Sequence, residues 1–414
     1  MLDLDTKINL FAEYLDNGGY DRIQFKSILE SLAKVTTDKS GKVVPESVDS
    51  LVNAAMNAYI STQLMEPYTS HLKLSEYESF IQKNIFFTQH TLKTKEEFEN
   101  FILKYENQTN LIYRGVKEAR WRLYSSLQRH WIINKYVEKK VDHKNFIIDL
   151  INNGRKVFHG TLTKFFIKNN IDPANDLAVL SFLQHYRQPT PLLDWTENLA
   201  NALFFAIDDI DLTLGTREIH QYFSIYVLDG DLFAGRGIKK IMESKIKSYS
   251  SEFRKGLEKH AKMKGLKPDT FNKLFSDEIM KTMTVMKIGN KFASELTNIP
   301  LLYDLSFACF SDKIDDMVKF GLNNNIRITN QEGVFTWNAH PYLPIEHVIL
   351  NNFKNESDSD IDICYCINIH KSLKPIVMDY LKKKAVDKKF IYPDSELLSK
   401  SSFKQTLKHF NLKK

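Results

Sequence analysis

Residues 184–206 read QHYRQPTPLLDWTENLANALFFA and concentrate the groups in this chain that can act on a ligand. His185, Tyr186, Asp194 and Thr196 are polar, and Pro189 and Pro191 stiffen the backbone between them. The two prolines forbid helix across Gln188–Leu192. The apolar run that follows predicts a helix over ENLANALFFAI, with Thr196 as its N-cap. A rigid polar loop docked on a buried helix is how a site is preorganised. The competing reading is structural, with Asp194 capping a helix and Trp195 filling the core.

Upstream of this stretch, residues 1–87 show apolar residues at helical spacing, among them Ile8, Phe11 and Leu15, then Val48, Leu51, Val52 and Ala55. They form an expected helical accessory domain. Thr94 followed by Glu97 is a capping-box signature for a helix through Tyr105. Leu111–Tyr113 reads as a strand ending at Arg114-Gly115. Helix is expected from Trp121 to about Ile167 with breaks at Gly154 and Gly160, and again from Asp172-Pro173 to Tyr186. Downstream, strands are expected at Tyr222–Leu228, Ile326–Asn330, Val334–Trp337 and His347–Leu350. Residues 361–369 alternate strictly, with Ile361, Ile363, Tyr365, Ile367 and Ile369 on one face. Cys364 and Cys366 occupy the other face as half-buried strand residues.

The 414 residues allow two or three domains, and 43% hydrophobic with 26% charged residues is an ordinary globular balance. Three cysteines do not make a disulfide framework and point to a reducing, cytoplasmic setting. The start, MLDLDTKINL, lacks the basic and apolar pattern of a signal peptide. The longest apolar stretch, Leu199 to Ile207, is far short of the roughly 18 residues a membrane span needs, so no membrane partner is expected. Charge is uneven. Residues 231–290 hold fourteen Lys and Arg against seven acids, and residues 371–414 hold twelve against four. Two basic segments on an acidic body suggest a polyanionic partner, although a solvated lysine-rich helix face explains them as well.

Several chemistries lose support. No phosphate-binding G-x-x-x-x-G-K motif occurs, no G-x-G-x-x-G, no G-x-S-x-G and no H-E-x-x-H. The two strand cysteines have no Cys or His partners at zinc-finger spacing, so no metal is expected.

Separated blocks, in order, resemble the FRG domain family, named for a Phe/Tyr-Arg-Gly core. Tyr113-Arg114-Gly115 with WRLYSSLQR at 121–129 is similar to its opening. His185, Tyr186, Pro189, Thr190, Leu192, Leu193, Asp194, Trp195 and Thr196 match its second signature. Gln331, Gly333 and Phe335 match a third block, and FIYPD at 390–394 resembles the closing motif. Arg187 stands where the family usually has Gly, and Pro191 where it usually has Arg. The block order is also similar, more weakly, to that of ADP-ribosyltransferases.

The resemblance implies an α+β protein. A helical N-terminal region, residues 1–87, would precede a mixed-sheet domain, residues 88–414, with an ADP-ribosyltransferase-like fold and a basic helical insertion at about 231–290. It implies an NAD-dependent ADP-ribosyltransferase, a toxin or effector of bacterial anti-phage defence or of a toxin–antitoxin system. Glu332, Arg114 and Thr196 would be catalytic. Arg114, Gly115, His185, Tyr186, Asp194, Trp195 and Gln331 would hold NAD, the substrate. The chemistry suits these groups: a guanidinium grips pyrophosphate, and a carboxylate stabilises an oxocarbenium-like cation. Residues 231–290 and the basic tail would bind a nucleic acid acceptor, RNA ahead of protein, and a neutralising antitoxin would be a further partner. The alternative is a non-catalytic FRG module that binds a ligand or partner through the same loop.

Overall fold

The computed structural model describes residues 73–169, 171–213, 215–280, 282–284, 297–304, 307–312, 320–322, 326–353, 364–393 and 402–412. The predicted helices within residues 1–72, the strand positions Ile361 and Ile363, and Asp394 lie outside them. The side chains of Lys239, Lys240 and Lys245 are likewise outside.

Among the described residues seven strands form one sheet: β1 Thr88–Leu92, β2 Leu111–Val116, β3 Leu192–Thr196, β4 Tyr222–Asp229, β5 Phe307–Phe310, β6 Gly333–Asn338 and β7 Cys364–His370. Their order is β1-β7-β4-β2-β3-β6-β5. The β1–β7 pair is parallel and the others are antiparallel. The helices used below are α1 Lys95–Tyr105, α2 Ser126–Ile133, α3 His143–Val157, α4 Asp176–His185, α5 Leu199–Ile207, α6 Gly230–Met263, α7 Ile326–Gln331 and α8 Ile345–Phe353. The expected α+β class holds in this form, helices around a mixed sheet.

The sheet is joined weakly at its centre. β2 and β4 pair over six residues and β3 and β6 over five, but β2 meets β3 only at Tyr113 and Thr196. Beyond that pair the strands part. The cores follow the same division. On one face, Tyr113, Phe223, Ile225, Val227, Ile367 and Ile369 pack with α1 and α5. On the same face, Leu192, Phe310, Phe335 and Trp337 pack with α2, α3 and α4 in a separate cluster. On the opposite face a single cluster runs across both halves, from Cys364 and Tyr226 to Trp195 and Val334. The split between β2 and β3 therefore lies between two cores on one face and above a continuous core on the other.

Local sequence explains many of the elements. Thr94 and Glu97 close the predicted capping box, and α1 ends at Tyr105. The alternation in β7 is as read, with Ile367 and Ile369 in one cluster and Cys364 and Cys366 in the other. The cysteines are fully buried rather than half-buried.

Other expectations are corrected. Residues 326–330 form helix α7 instead of a strand; their β-branched residues suggested extension, but Arg327, Ile328 and Gln331 are buried at helical spacing. His347–Leu350 lies in α8, where Ile345, Val348 and Ile349 bury one helical face. Gly154 sits inside α3, where a Cβ would meet Leu183 and Val179 at 3.1 and 3.2 Å; the break comes at Phe158. Helix α2 starts at Ser126 behind a Ser125–Gln128 capping box, not at Trp121. Asn175, rather than Asp172-Pro173, caps α4. Thr196 ends β3, and the N-cap of α5 is Asn198, whose Oδ1 accepts from Ala200 and Asn201. Residues 73–87, grouped above with the N-terminal helices, pack into the sheet: Tyr77 and Phe87 are core residues and Lys83 is fully buried. Among the described residues no helix is long and apolar enough to cross a membrane.

Candidate ligand-binding cleft

Gly115 fixes the architecture of the split. A Cβ there would lie 1.8 Å from the carbonyl oxygen of Ala202 and 2.8 Å from the nitrogen of Ala206. Only glycine lets α5 lie directly on β2, with its small residues Ala202 and Ala206 turned to the strand. Tyr113 anchors the same strand by donating from its hydroxyl to the Tyr105 carbonyl, 2.8 Å. Arg114, between them, is held at the point where β2 and β3 separate. Its Nη1 donates to the backbone carbonyl of Asp194, while its Nε is buried without a hydrogen-bond partner.

The Pro-Thr-Pro segment is wired from the side. Ser126 Oγ donates to the Thr190 carbonyl at 3.2 Å and receives the Thr190 N–H at 3.0 Å. Thr190 Oγ1 donates to Gln184 Oε1, and Gln184 Nε2 donates to Asp194 Oδ2 at 2.8 Å. That chain orients one carboxylate oxygen of Asp194 and leaves the other, Oδ1, buried and unpartnered. His185 packs edge-on against Phe335, and its Nε2 is also buried without a partner. Burial pulls the His185 pKa down to about 4 against the favourable pull of Asp194, so the ring is neutral near pH 7. Burial also lowers the Arg114 pKa to about 10, opposed by Asp194, and the guanidinium stays charged.

These groups surround one cavity of about 230 Å³. Arg114, Gly115, His185, Asp194, Trp195, Thr196 and Gln331 line it, so seven of the residues picked from the sequence converge. Their contributions differ. The Trp195 ring belongs to the opposite core and donates to Thr336 Oγ1 at 2.9 Å. Gly115 serves helix packing. Thr196 donates to the Gln331 carbonyl at 2.6 Å, and Gln331 Nε2 donates to the Ile391 carbonyl at 3.0 Å. These last two tie β3, α7 and the closing motif together.

Two picks lie off the lining. Tyr186 stacks on Phe182 at 4.5 Å and under Arg327, on the side of the α4 core. Glu332 is adjacent to Gln331 in the chain, but its Oε1 accepts from Asn198 Nδ2 at 2.9 Å and its carbonyl accepts from Glu197 N–H. Its backbone is left-handed, φ 48°.

The sequence reading did not single out Arg327, Gln184 or Phe205 as site residues, and it named Arg187 only as a departure. Gln184 opens the polar stretch at 184–206 and Arg327 lies four residues before Gln331 of the third block, so both were within reach. Arg187 has a clear conformational role. Its N–H donates to the Gln184 carbonyl and the Gln188 N–H to the Leu183 carbonyl, at 2.9 Å each, which is the Schellman end of α4. Its φ is 59°. Glycine is the usual residue at that position for this reason, and a non-glycine residue there costs about 1 kcal/mol. The loop keeps its path with arginine in place.

With the geometry in hand, comparison with known proteins gives one match. Residues 109–213 match the FRG domain, and this supports the FRG family for the stretch that carries β2, α4, the Pro-Thr-Pro loop, β3 and α5. Neither a curated protein nor a solved structure matches the chain.

Proposed function

We propose that this cleft binds NAD and that the chain transfers ADP-ribose from it. The observation that carries the reading is an imbalance of charge and hydrogen bonding. Among the described residues, Arg114, Arg187 and Arg327 line the cavity against one carboxylate, Asp194, and Arg114 Nε, His185 Nε2 and Asp194 Oδ1 are buried there without partners. Buried polar atoms are nearly always paired, so three orphans around one cavity suit a polar ligand that completes them. A second cavity of about 530 Å³ shares Arg114, Gly115 and Phe205 with the first. Nicotinamide riboside suits the smaller space, the pyrophosphate suits the guanidinium at the junction, and the adenosine suits the larger space.

In the proposed reaction the bond from ribose C1′ to the nicotinamide nitrogen breaks, and its electron pair leaves with nicotinamide. An acceptor oxygen or nitrogen then bonds to C1′ and loses its proton. Asp194 Oδ1 would stabilise the cation formed at C1′. That role was expected of Glu332, which instead is bonded to Asn198 and would orient the loop after β3. An enzyme that consumes NAD harms its host unless it is restrained, so the proposal retains a toxin or defence role with a neutralising partner.

Calorimetric titration with NAD and chromatographic assay of released nicotinamide test the reading. NAD should bind, and nicotinamide should appear. Asp194→Asn should cut the release by about 100- to 1000-fold with binding retained, the usual cost of losing one electrostatic stabiliser. No NAD binding would sink the proposal. Binding without release in the presence of candidate acceptors favours the second reading, a non-catalytic FRG module, which draws support from the position of Glu332 off the cavity lining.

A further inference from the structure

Next to the cleft lies a cavity of about 600 Å³ on the outer side of the Pro-Thr-Pro loop. It shares Gln184 and Arg187 with the cleft, so the two spaces meet along one wall. Arg129 and Arg187 give it two guanidiniums, and none of its described lining residues is acidic. The carboxamides of Asn134 and Gln188 add neutral hydrogen-bonding groups, and Ile133, 65% exposed, adds an apolar surface.

Arg187 is the informative residue. It occupies a left-handed position where glycine is the easier choice, and its guanidinium makes no hydrogen bond among the described residues. A left-handed arginine whose charge acts on Tyr392 but whose guanidinium makes no hydrogen bond among the described residues, placed between two cavities, points to a role toward a ligand. Arg129 is steadied by donating to the Tyr124 carbonyl at 2.8 Å. It also lines the cavity on the far side of Arg114, which extends the positive wall across all three spaces.

We infer that this outer cavity of about 600 Å³ is the acceptor subsite and that it takes a phosphate-bearing nucleotide of a single-stranded nucleic acid. The inference rests on the reading of the cleft as the donor site. Two guanidiniums match one phosphate, the carboxamides match the edge of a base, and Ile133 and Pro189 offer a base a face to rest on. A phosphate on a peptide would use the arginines and give the exposed Ile133 face no base to carry. Helix α6 was the earlier candidate for this contact, but its Arg254 is already engaged by Glu258, Asp277 and Asn272 and lies over the Phe271 ring.

The test is fluorescence anisotropy of a labelled, 5′-phosphorylated single-stranded oligonucleotide with the full chain, without NAD. The unphosphorylated oligonucleotide and a phosphopeptide are run in parallel. The wild-type chain should bind the phosphorylated oligonucleotide most tightly, and more weakly as salt rises. Arg187→Gly should bind it about 10- to 100-fold more weakly, the range for a lost charge-assisted contact. The same variant should melt at or slightly above the wild-type temperature, because glycine suits the left-handed backbone, so lost binding will not reflect lost folding. Lys255→Glu with Lys259→Glu on α6 should leave binding nearly unchanged. Equal binding by Arg187→Gly overturns the inference, as does loss of binding only in the α6 variant. Tighter binding of the phosphopeptide overturns the nucleic acid assignment. An absence of NAD binding with these results intact would sink the donor site and leave the anion subsite standing.

Discussion

Lys83 is fully buried and Arg114 partly buried against the same sheet, and their surroundings are opposite. Lys83 donates to the Ala119 carbonyl at 2.9 Å, to Ser224 Oγ at 2.9 Å and to Asn368 Oδ1 at 3.0 Å. Its three donors are all used, and the Tyr226 ring lies 4.7 Å away. Its neighbours on that face are similarly engaged: Tyr77 donates to Glu346 at 2.7 Å, and Lys371 pairs with Glu118 at 2.8 Å. Among the described residues Arg114 donates from Nη1 and leaves Nε without a partner, in a cavity shared with a half-bonded aspartate and a histidine whose Nε2 is unpartnered. Both sites carry the desolvation cost of a buried charge. One recovers it within the fold, and the other, in the proposal above, leaves part of it for a ligand. A saturated buried charge belongs to the architecture, whereas an unsaturated one marks where a second molecule completes the network.

The sharpest way to break this comparison is to remove each cation. Lys83→Met should strip Ser224, Asn368 and Ala119 of a shared partner and destabilise the chain by about 3–5 kcal/mol, the cost of breaking a buried charged network. Arg114→Met should change stability far less, yet weaken NAD binding by about 100-fold. Denaturant melts and titration calorimetry read the two effects. A fold that tolerates Lys83→Met and fails with Arg114→Met would reverse the assignment.

Gly115→Ala tests how far the cleft depends on the approach of α5 to β2. The added methyl meets backbone, which has little room to yield, so a stability loss of about 1–3 kcal/mol or more is expected. A thermal melt checks it, and an unchanged melting temperature would mean that the helix shifts freely.

Acid should act on the fold before it acts on the site. Burial holds His185 and His340 at pKa values of about 4 and His143 at about 3. In the unfolded chain these rings take up protons near their ordinary value of 6.5, so the unfolded state binds more protons than the folded one below that pH. Stability is therefore full above about pH 6.5 and is lost progressively as pH falls toward 4. Ligand affinity should stay flat between pH 6 and 8, because His185 remains neutral throughout. A titration of affinity centred near 6.5 would show that the His185 ring is more solvated than its burial implies.

The smallest expected effect separates the two carboxylates. Glu332→Gln should keep its bond to Asn198 and leave NAD affinity within about twofold, since the residue lies off the cavity lining and its contribution to binding is that of one neutral contact. Nicotinamide release by this variant falling as far as in Asp194→Asn would return the catalytic role to Glu332.

What the sequence determined by itself was local or repetitive. The Thr94–Glu97 box set the start of α1, the alternation in β7 assigned its residues to two faces, and the prolines excluded helix before β3. The matching blocks named most of the cleft lining, because each block carries side chains that reach the cavity from its own element. The short apolar segments at 326–330 and 347–350 were misread as strands, since so few residues carry both periods and burial chooses between them.

Tertiary structure alone decided the rest. No local pattern announces that β2 and β3 touch at one residue pair, that β1 runs parallel to a strand 277 positions later (Thr88 beside Tyr365), or that Lys83 finds partners in three distant segments. The same holds for Glu332, which the sequence placed beside Gln331 and whose side chain the fold bonds to Asn198. Side-chain chemistry is written residue by residue, but whether a buried polar atom is satisfied depends on what the whole chain brings to it.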